Sequence, residues 1–182
     1  MNIRGLITAA AIGVSLVIGV GAVPAFAETS LPPNTSQAEY QMWTAFKAYE
    51  PNVELGGMFT AKGGYHDTRQ GAGNDYSTEK AVDKQGPEGV GSAIDLTFRN
   101  PKDMDKYSRR LMNAKDDSRT DVLREFFGNI NGDGTVDGFD YDANQVVSSD
   151  ESHLWHIHIS MHRKYAADPG AWGNLLQILE GK

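Results

Sequence analysis

Hydrophobic residues follow two different periods along this chain. From Ser36 to Pro51, Ala38, Met42, Trp43, Phe46 and Tyr49 recur three and four apart, on one face of a helix. Ser36-x-x-Glu39 is a capping box at its start, and Pro51 ends it. A second helix begins at Asn100-Pro101 and turns Met104, Tyr107 and Leu111 inward. The spacing predicts a third helix over 120–127, closed by Gly128. Asp168-Pro169 opens a last one that runs through Leu179. A period of two marks Ser92 to Phe98 and Trp155 to Met161 as strands. Residues 53–60 read as a strand broken by Gly56-Gly57, and 135–147 as a hairpin. From Gly63 to Gly91 no period holds, and such a long loop is functional or disordered. Helices and strands mix without βαβα alternation, so the expected class is α+β, a mainly antiparallel sheet with flanking helices.

The first residues follow another rule. A short basic start, an apolar run from Leu6 to about Val20 and Ala25-Phe26-Ala27 form a secretory signal over 1–27, cleaved after Ala27. Residues 28–34, with Pro32-Pro33, are a short tether, and 35–182 form a single domain. The expected location is outside the cell or in its wall, with no stable membrane association after cleavage. An exported chain without cysteine points to bacterial secretion.

The absence of cysteine also excludes disulfide staples, thiolate metal sites and a cysteine nucleophile. With 17 Lys and Arg against 24 Asp and Glu, the charge of −7 disfavours general binding to a phosphate backbone, so no nucleic-acid partner is expected.

Four of the five histidines lie between 153 and 162. In SHLWHIHISMH the apolar Trp155, Ile157, Ile159 and Met161 alternate with His156, His158, Ser160 and His162. His156 and His158 therefore share a strand face and can reach one ion or one substrate together. His153 and His162 read as surface positions. In SAIDLTF, Asp95 interrupts an otherwise apolar strand, and a buried carboxylate needs compensation. The compensator is a cation, or else a helix end or an arginine. Asp with two imidazoles suits zinc.

Together these segments carry a resemblance. GPEGVGSAIDLTF and ESHLWHIHIS resemble the two signature segments of the superfamily of D-alanyl-D-alanine carboxypeptidases, lysostaphin-type endopeptidases and the hedgehog signalling domain. The first pattern, His-x-x-Gly-x-Ala-x-Asp, aligns as Glu88-x-x-Gly91-x-Ala93-x-Asp95 and departs from the family at Glu88. The second becomes Asp150 or Glu151 followed by His156-x-His158. Asp150-x-x-His153 also resembles a spacing of some carboxypeptidases and would move the ligand to His153, but His158 is preferred because it shares a face with His156. GGYHDTRQ resembles the stretch before the metal motif in the carboxypeptidases, with His66 at their substrate-binding arginine and Arg69 nearby.

The resemblance implies a hedgehog-like or carboxypeptidase-like fold and a zinc ion on Asp95, His158 and Glu88, with His66 as the alternative third ligand. It implies Glu151 or Asp150 as the proton acceptor, His156 beside the developing oxyanion, and Arg69 and His66 as substrate contacts. The implied reaction is hydrolysis of cell-wall peptides, of carboxypeptidase or endopeptidase type. A non-catalytic relative that binds peptidoglycan or a protein is one alternative, and a secreted metal-dependent nuclease or phosphoesterase is another.

Asn129-x-Asn131-x-Asp133-Gly134-x-x-Asp137-x-x-Asp140 matches a calcium-loop spacing. Its Asn-Gly and Asp-Gly pairs are also hairpin signals, and the hairpin reading is favoured over calcium at 129–140. The glycines near Gly63 and Gly71 lack the strand-to-helix setting of a phosphate loop.

Overall fold

The computed structural model describes residues 30–182. The signal segment and the first part of the tether lie outside the described residues. Helix α1 (Gln37–Tyr49) starts where the Ser36 Oγ accepts the Glu39 N–H at 3.1 Å. Only that half of the capping box forms. The Glu39 carboxylate is fully buried and has no hydrogen-bond partner among the described residues, and burial pushes its pKa well above the usual carboxylate range.

Strand β1 (Val53–Gly57) follows, then the long aperiodic segment, which holds only short helical turns, among them α2 (Arg69–Ala72). Strand β2 (Ala93–Phe98) leads into α3 (Pro101–Asn113), capped by Asn100 with Pro101 at its first position. Strands β3 (Leu123–Gly128), β4 (Asp137–Asp140), β5 (Gln145–Val147) and β6 (His156–Met161) complete one six-stranded sheet in the order β1-β2-β6-β3-β4-β5. Every pairing in it is antiparallel. Helix α4 (Pro169–Glu180) ends the chain. The architecture is therefore α+β.

The stretch expected as a helix over 120–127 is instead a central strand. Its register slips between Leu123 and Glu125, so Arg124 is the extra residue of a bulge. Leu123 and Phe126 thereby share one sheet face although they stand three apart, the spacing that imitates a helix. The same sheet physics shortens β1, where Gly56 forms a second bulge opposite β2.

The two faces of the sheet differ in chemistry. Ile94, Leu96 and Phe98 of β2, Leu123 and Phe126 of β3, and Ile157, Ile159 and Met161 of β6 join one core with α1, α3 and α4. Each such side chain contributes about 1.5–3 kcal/mol on burial. The opposite face carries Asp95, His156, His158, Ser160 and Glu125. The aperiodic segment crosses this polar face. Its Tyr65 hydroxyl donates to Asp83 at 2.7 Å, and Asp83 in turn meets His162.

His162 is not a surface residue. It is buried, with Nδ1 3.2 Å from Asp83 Oδ1 and Nε2 3.1 Å from Asp142 Oδ1. Burial opposes ionisation of Asp83, but hydrogen bonds from His162, the Arg163 amide and Tyr65 hold its carboxyl below its usual range.

Candidate metal centre

Asp95 lies in the second strand of the sheet, directly across from His158 in the sixth. Both side chains stand on the polar face because a residue and its cross-strand partner point the same way. On Asp95's other flank the first strand presents glycine. A Cβ at Gly56 would lie 2.8 Å from Asp95 Cβ and 2.9 Å from Thr97 Oγ1. Only a bare backbone fits there.

The third member, His66, arrives from the aperiodic segment. Its neighbour Tyr65 accepts the Ser92 N–H at 2.8 Å, which ties the segment to the start of the second strand. His66's own carbonyl accepts the Thr60 N–H at 3.3 Å. That carbonyl also crowds Gly91, where a Cβ would come within 2.7 Å of it.

The three side chains converge on one point. Asp95 Oδ1 is 3.0 Å from His66 Nε2 and 2.9 Å from His158 Nδ1, and the two nitrogens are 3.0 Å apart. With Asp95 ionised, as its lowered pKa keeps it, hydrogen bonding alone cannot satisfy this triangle. Asp95 can accept from both rings, but the two nitrogens then face each other as donors. If either nitrogen loses its proton, that nitrogen opposes Asp95 with a lone pair. One edge always sets like against like, whereas a central cation suits all three lone pairs. Ligand atoms about 2.0–2.2 Å from a tetrahedral zinc stand roughly 3.3–3.6 Å from one another, so a small outward shift accommodates the ion. His66, Asp95 and His158 could therefore hold a metal ion.

The electrostatics favour the same state. Burial pushes the His158 imidazole down to about 4, against the pull of Asp95, so at neutral pH the ring is uncharged and free to ligate. Burial works against the Asp95 carboxylate, yet hydrogen bonds from His158 and His66 outweigh it and hold the carboxyl well below its usual range. Behind the triangle, His158 Nε2 meets Ser160 Oγ at 2.7 Å, an outer contact that fixes the ring.

His156 stands at the edge of the group, its Nε2 3.7 Å from Asp95 Oδ1. Burial lowers its pKa, and its Nδ1 has no hydrogen-bond partner. The triangle lies in a cleft of about 510 Å³ lined by four of the five histidines, with Tyr76 and Trp155 half exposed at its wall. His153 is one of the four. Its Nδ1 donates to the Asp150 carbonyl at 3.3 Å, which leaves the Nε2 lone pair available in the neutral ring.

Other residues singled out in the sequence sit elsewhere. Glu88 is not in the metal-competent group; its Oε1 takes Arg69 Nη2 at 3.0 Å, and Arg69 also bonds the Gly86 carbonyl. Neither lines the cleft, and Lys62 is the cation that does. Asp150 caps a short turn by accepting the Ser152 N–H, and Glu151 is exposed on that turn; neither carboxylate lines the cleft. In the 129–140 loop, Asn129, Asn131, Asp133 and Asp137 accept the loop's own N–H groups, while Asp140 pairs with Arg124 at 2.5 Å. That loop joins two antiparallel neighbours, β3 and β4.

His153, expected at the surface, and Lys62, which nothing in the sequence pattern marks, both line the cleft. No protein-family model, curated protein or solved structure matches this chain. No helix of the described residues is long and apolar enough to cross a membrane.

Proposed function

We propose that this chain is a secreted zinc-dependent hydrolase of cell-wall peptides, built on the fold of the carboxypeptidase, lysostaphin and hedgehog superfamily. The observation that carries the reading is the triangle of Asp95, His66 and His158, closed to within 3.0 Å at a cleft open to solvent. Zinc is the ion that suits two imidazoles, one carboxylate and an open fourth position. In this reading His66 takes the place offered to Glu88 by the family pattern.

When bound, zinc supplies an acidified water and polarisation of the scissile carbonyl. The chain supplies the rest. His153, with its Nδ1 proton committed to the Asp150 carbonyl, accepts a proton at Nε2 and returns it to the leaving amine. His156, beside Asp95, donates to the oxygen that gains charge. Lys62 offers the cleft a charge for a peptide carboxylate, the task assigned from the resemblance to Arg69. In this reading imidazoles take the roles that the resemblance gives to Glu151 and Asp150, because neither carboxylate lines the cleft.

The same observation favours a second reading, a metal-binding module of this fold that binds wall peptides without turnover. A cleft whose lining carboxylate is only Asp95 lacks the usual acid for proton transfer.

The deciding experiment measures zinc content in the purified protein and its action on peptidoglycan, with and without chelator. About one zinc per chain and chelator-sensitive release of new amines supports the hydrolase. Stoichiometric zinc with no release supports the module. Absence of zinc binding sinks both. Plasmid DNA in a parallel incubation tests the phosphoesterase alternative.

A further inference from the structure

We infer that Arg163 is the positioning residue that holds His66 at the metal centre. The inference rests on the metal reading above. Arg163 is 1% exposed, among the most deeply buried large side chains in the protein. Among the described residues it makes no ion pair with a carboxylate; its guanidinium is spent on backbone and hydroxyl oxygens of the aperiodic segment. Nη1 donates to the Asp67 carbonyl at 2.9 Å, and Nη2 to the Gly64 carbonyl at 2.8 Å. Nε and Nη2 donate to the Ser77 carbonyl and hydroxyl at 2.8 and 2.6 Å.

The positions of those acceptors carry the argument. Gly64 and Asp67 bracket His66, so one planar fork grips the chain on both sides of the ligand. The segment has no strand or long helix of its own to fix it. Arg163 follows the sixth strand by two residues, and its own N–H is pinned to Asp83 Oδ1 at 3.0 Å. The sheet that carries His158 therefore also carries the clamp that aims His66. A lysine offers a single ammonium in place of the fork and cannot grip both carbonyls in that geometry.

The experiment measures zinc affinity by competition with a chromophoric chelator for the wild type, H66A, R163M and the R163M/H66A double variant. Melting of each in chelator confirms folding. The expected result is roughly 10–100-fold weaker zinc binding by R163M, the range typical of groups that orient a ligand. In the H66A background R163M costs nothing further, because the residue it aims is already gone. Wild-type affinity in R163M overturns the inference. So does an equal loss in both backgrounds, which marks general damage. If R163M does not melt cooperatively, R163K replaces it under the same two criteria. Failure of the wild type to bind zinc, or wild-type affinity in H66A, is a different outcome: it removes the metal reading itself, and this inference with it.

Discussion

Ser160 Oγ lies 2.7 Å from His158 Nε2, two residues further along the same strand face. When the serine accepts from Nε2–H, the neutral ring turns the lone pair of Nδ1 toward the space an ion would take. Substituting Ser160→Ala removes that anchor without touching the ligand atoms. Zinc affinity is expected to fall roughly 10–100-fold, and the metal-free protein to lose about 1–3 kcal/mol because the buried ring nitrogen is left without a partner. Titration with a competing chelator checks it. A variant that binds as tightly as the wild type shows that the contact does not orient the ring.

Gly56 tests the packing of the first strand on the site. A methyl group there meets Asp95 Cβ at 2.8 Å and the Asp95 carbonyl at 3.2 Å, atoms of a central strand that cannot step aside. Gly56→Ala is expected to cost about 1–3 kcal/mol in chemical denaturation and to weaken metal binding as well. Gly173→Ala, where a Cβ meets nothing within 4 Å, is the matching control.

The pH dependence of the metal-free protein follows from His158. Its folded pKa, about 4, lies below the ordinary value of 6.5. The unfolded chain therefore takes up a proton on this ring in a window where the folded chain does not. Stability from this group is complete above pH 6.5 and declines as pH falls towards 4. The full span is worth about 3 kcal/mol at 1.36 kcal/mol per unit. Urea unfolding at steps through that window, in chelator, measures the slope, and His158→Asn is expected to flatten it.

Glu39 gives the opposite sign. Its folded pKa is raised, so folding favours the protonated acid, and its contribution is present below the ordinary value of 4.5 and lost as pH rises. Glu39→Met keeps the volume and removes the orphaned carboxyl. At pH 7 the variant is expected to be more stable by about 1–3 kcal/mol, and the gain shrinks towards pH 4. Equal gains at both pH values, or a loss at pH 7, refute the account.

Asp95 and His158 were legible because both sit in strands of plain alternation, where a polar residue out of step with the core announces its face. His66 was legible as an alternative only: a segment without period gives no direction, and its position depends on Arg163, some hundred residues later. The third strand misled because its bulge at Arg124 put Leu123 and Phe126 at helical spacing. His162 continues the alternation of the last strand, but its neighbours Asp83 and Asp142 come from distant loops. Spacing rules carry no record of such partners.

Because Asp95 and His158 are paired across the middle of the sheet, they separate only when the molecule as a whole melts. His66 reaches them from outside the sheet, on a stretch pinned at the Gly64 and Asp67 carbonyls by Arg163. An ion on the triangle would therefore be as slow to leave as that grip is to open, since the other two donors keep their places for as long as the fold lasts.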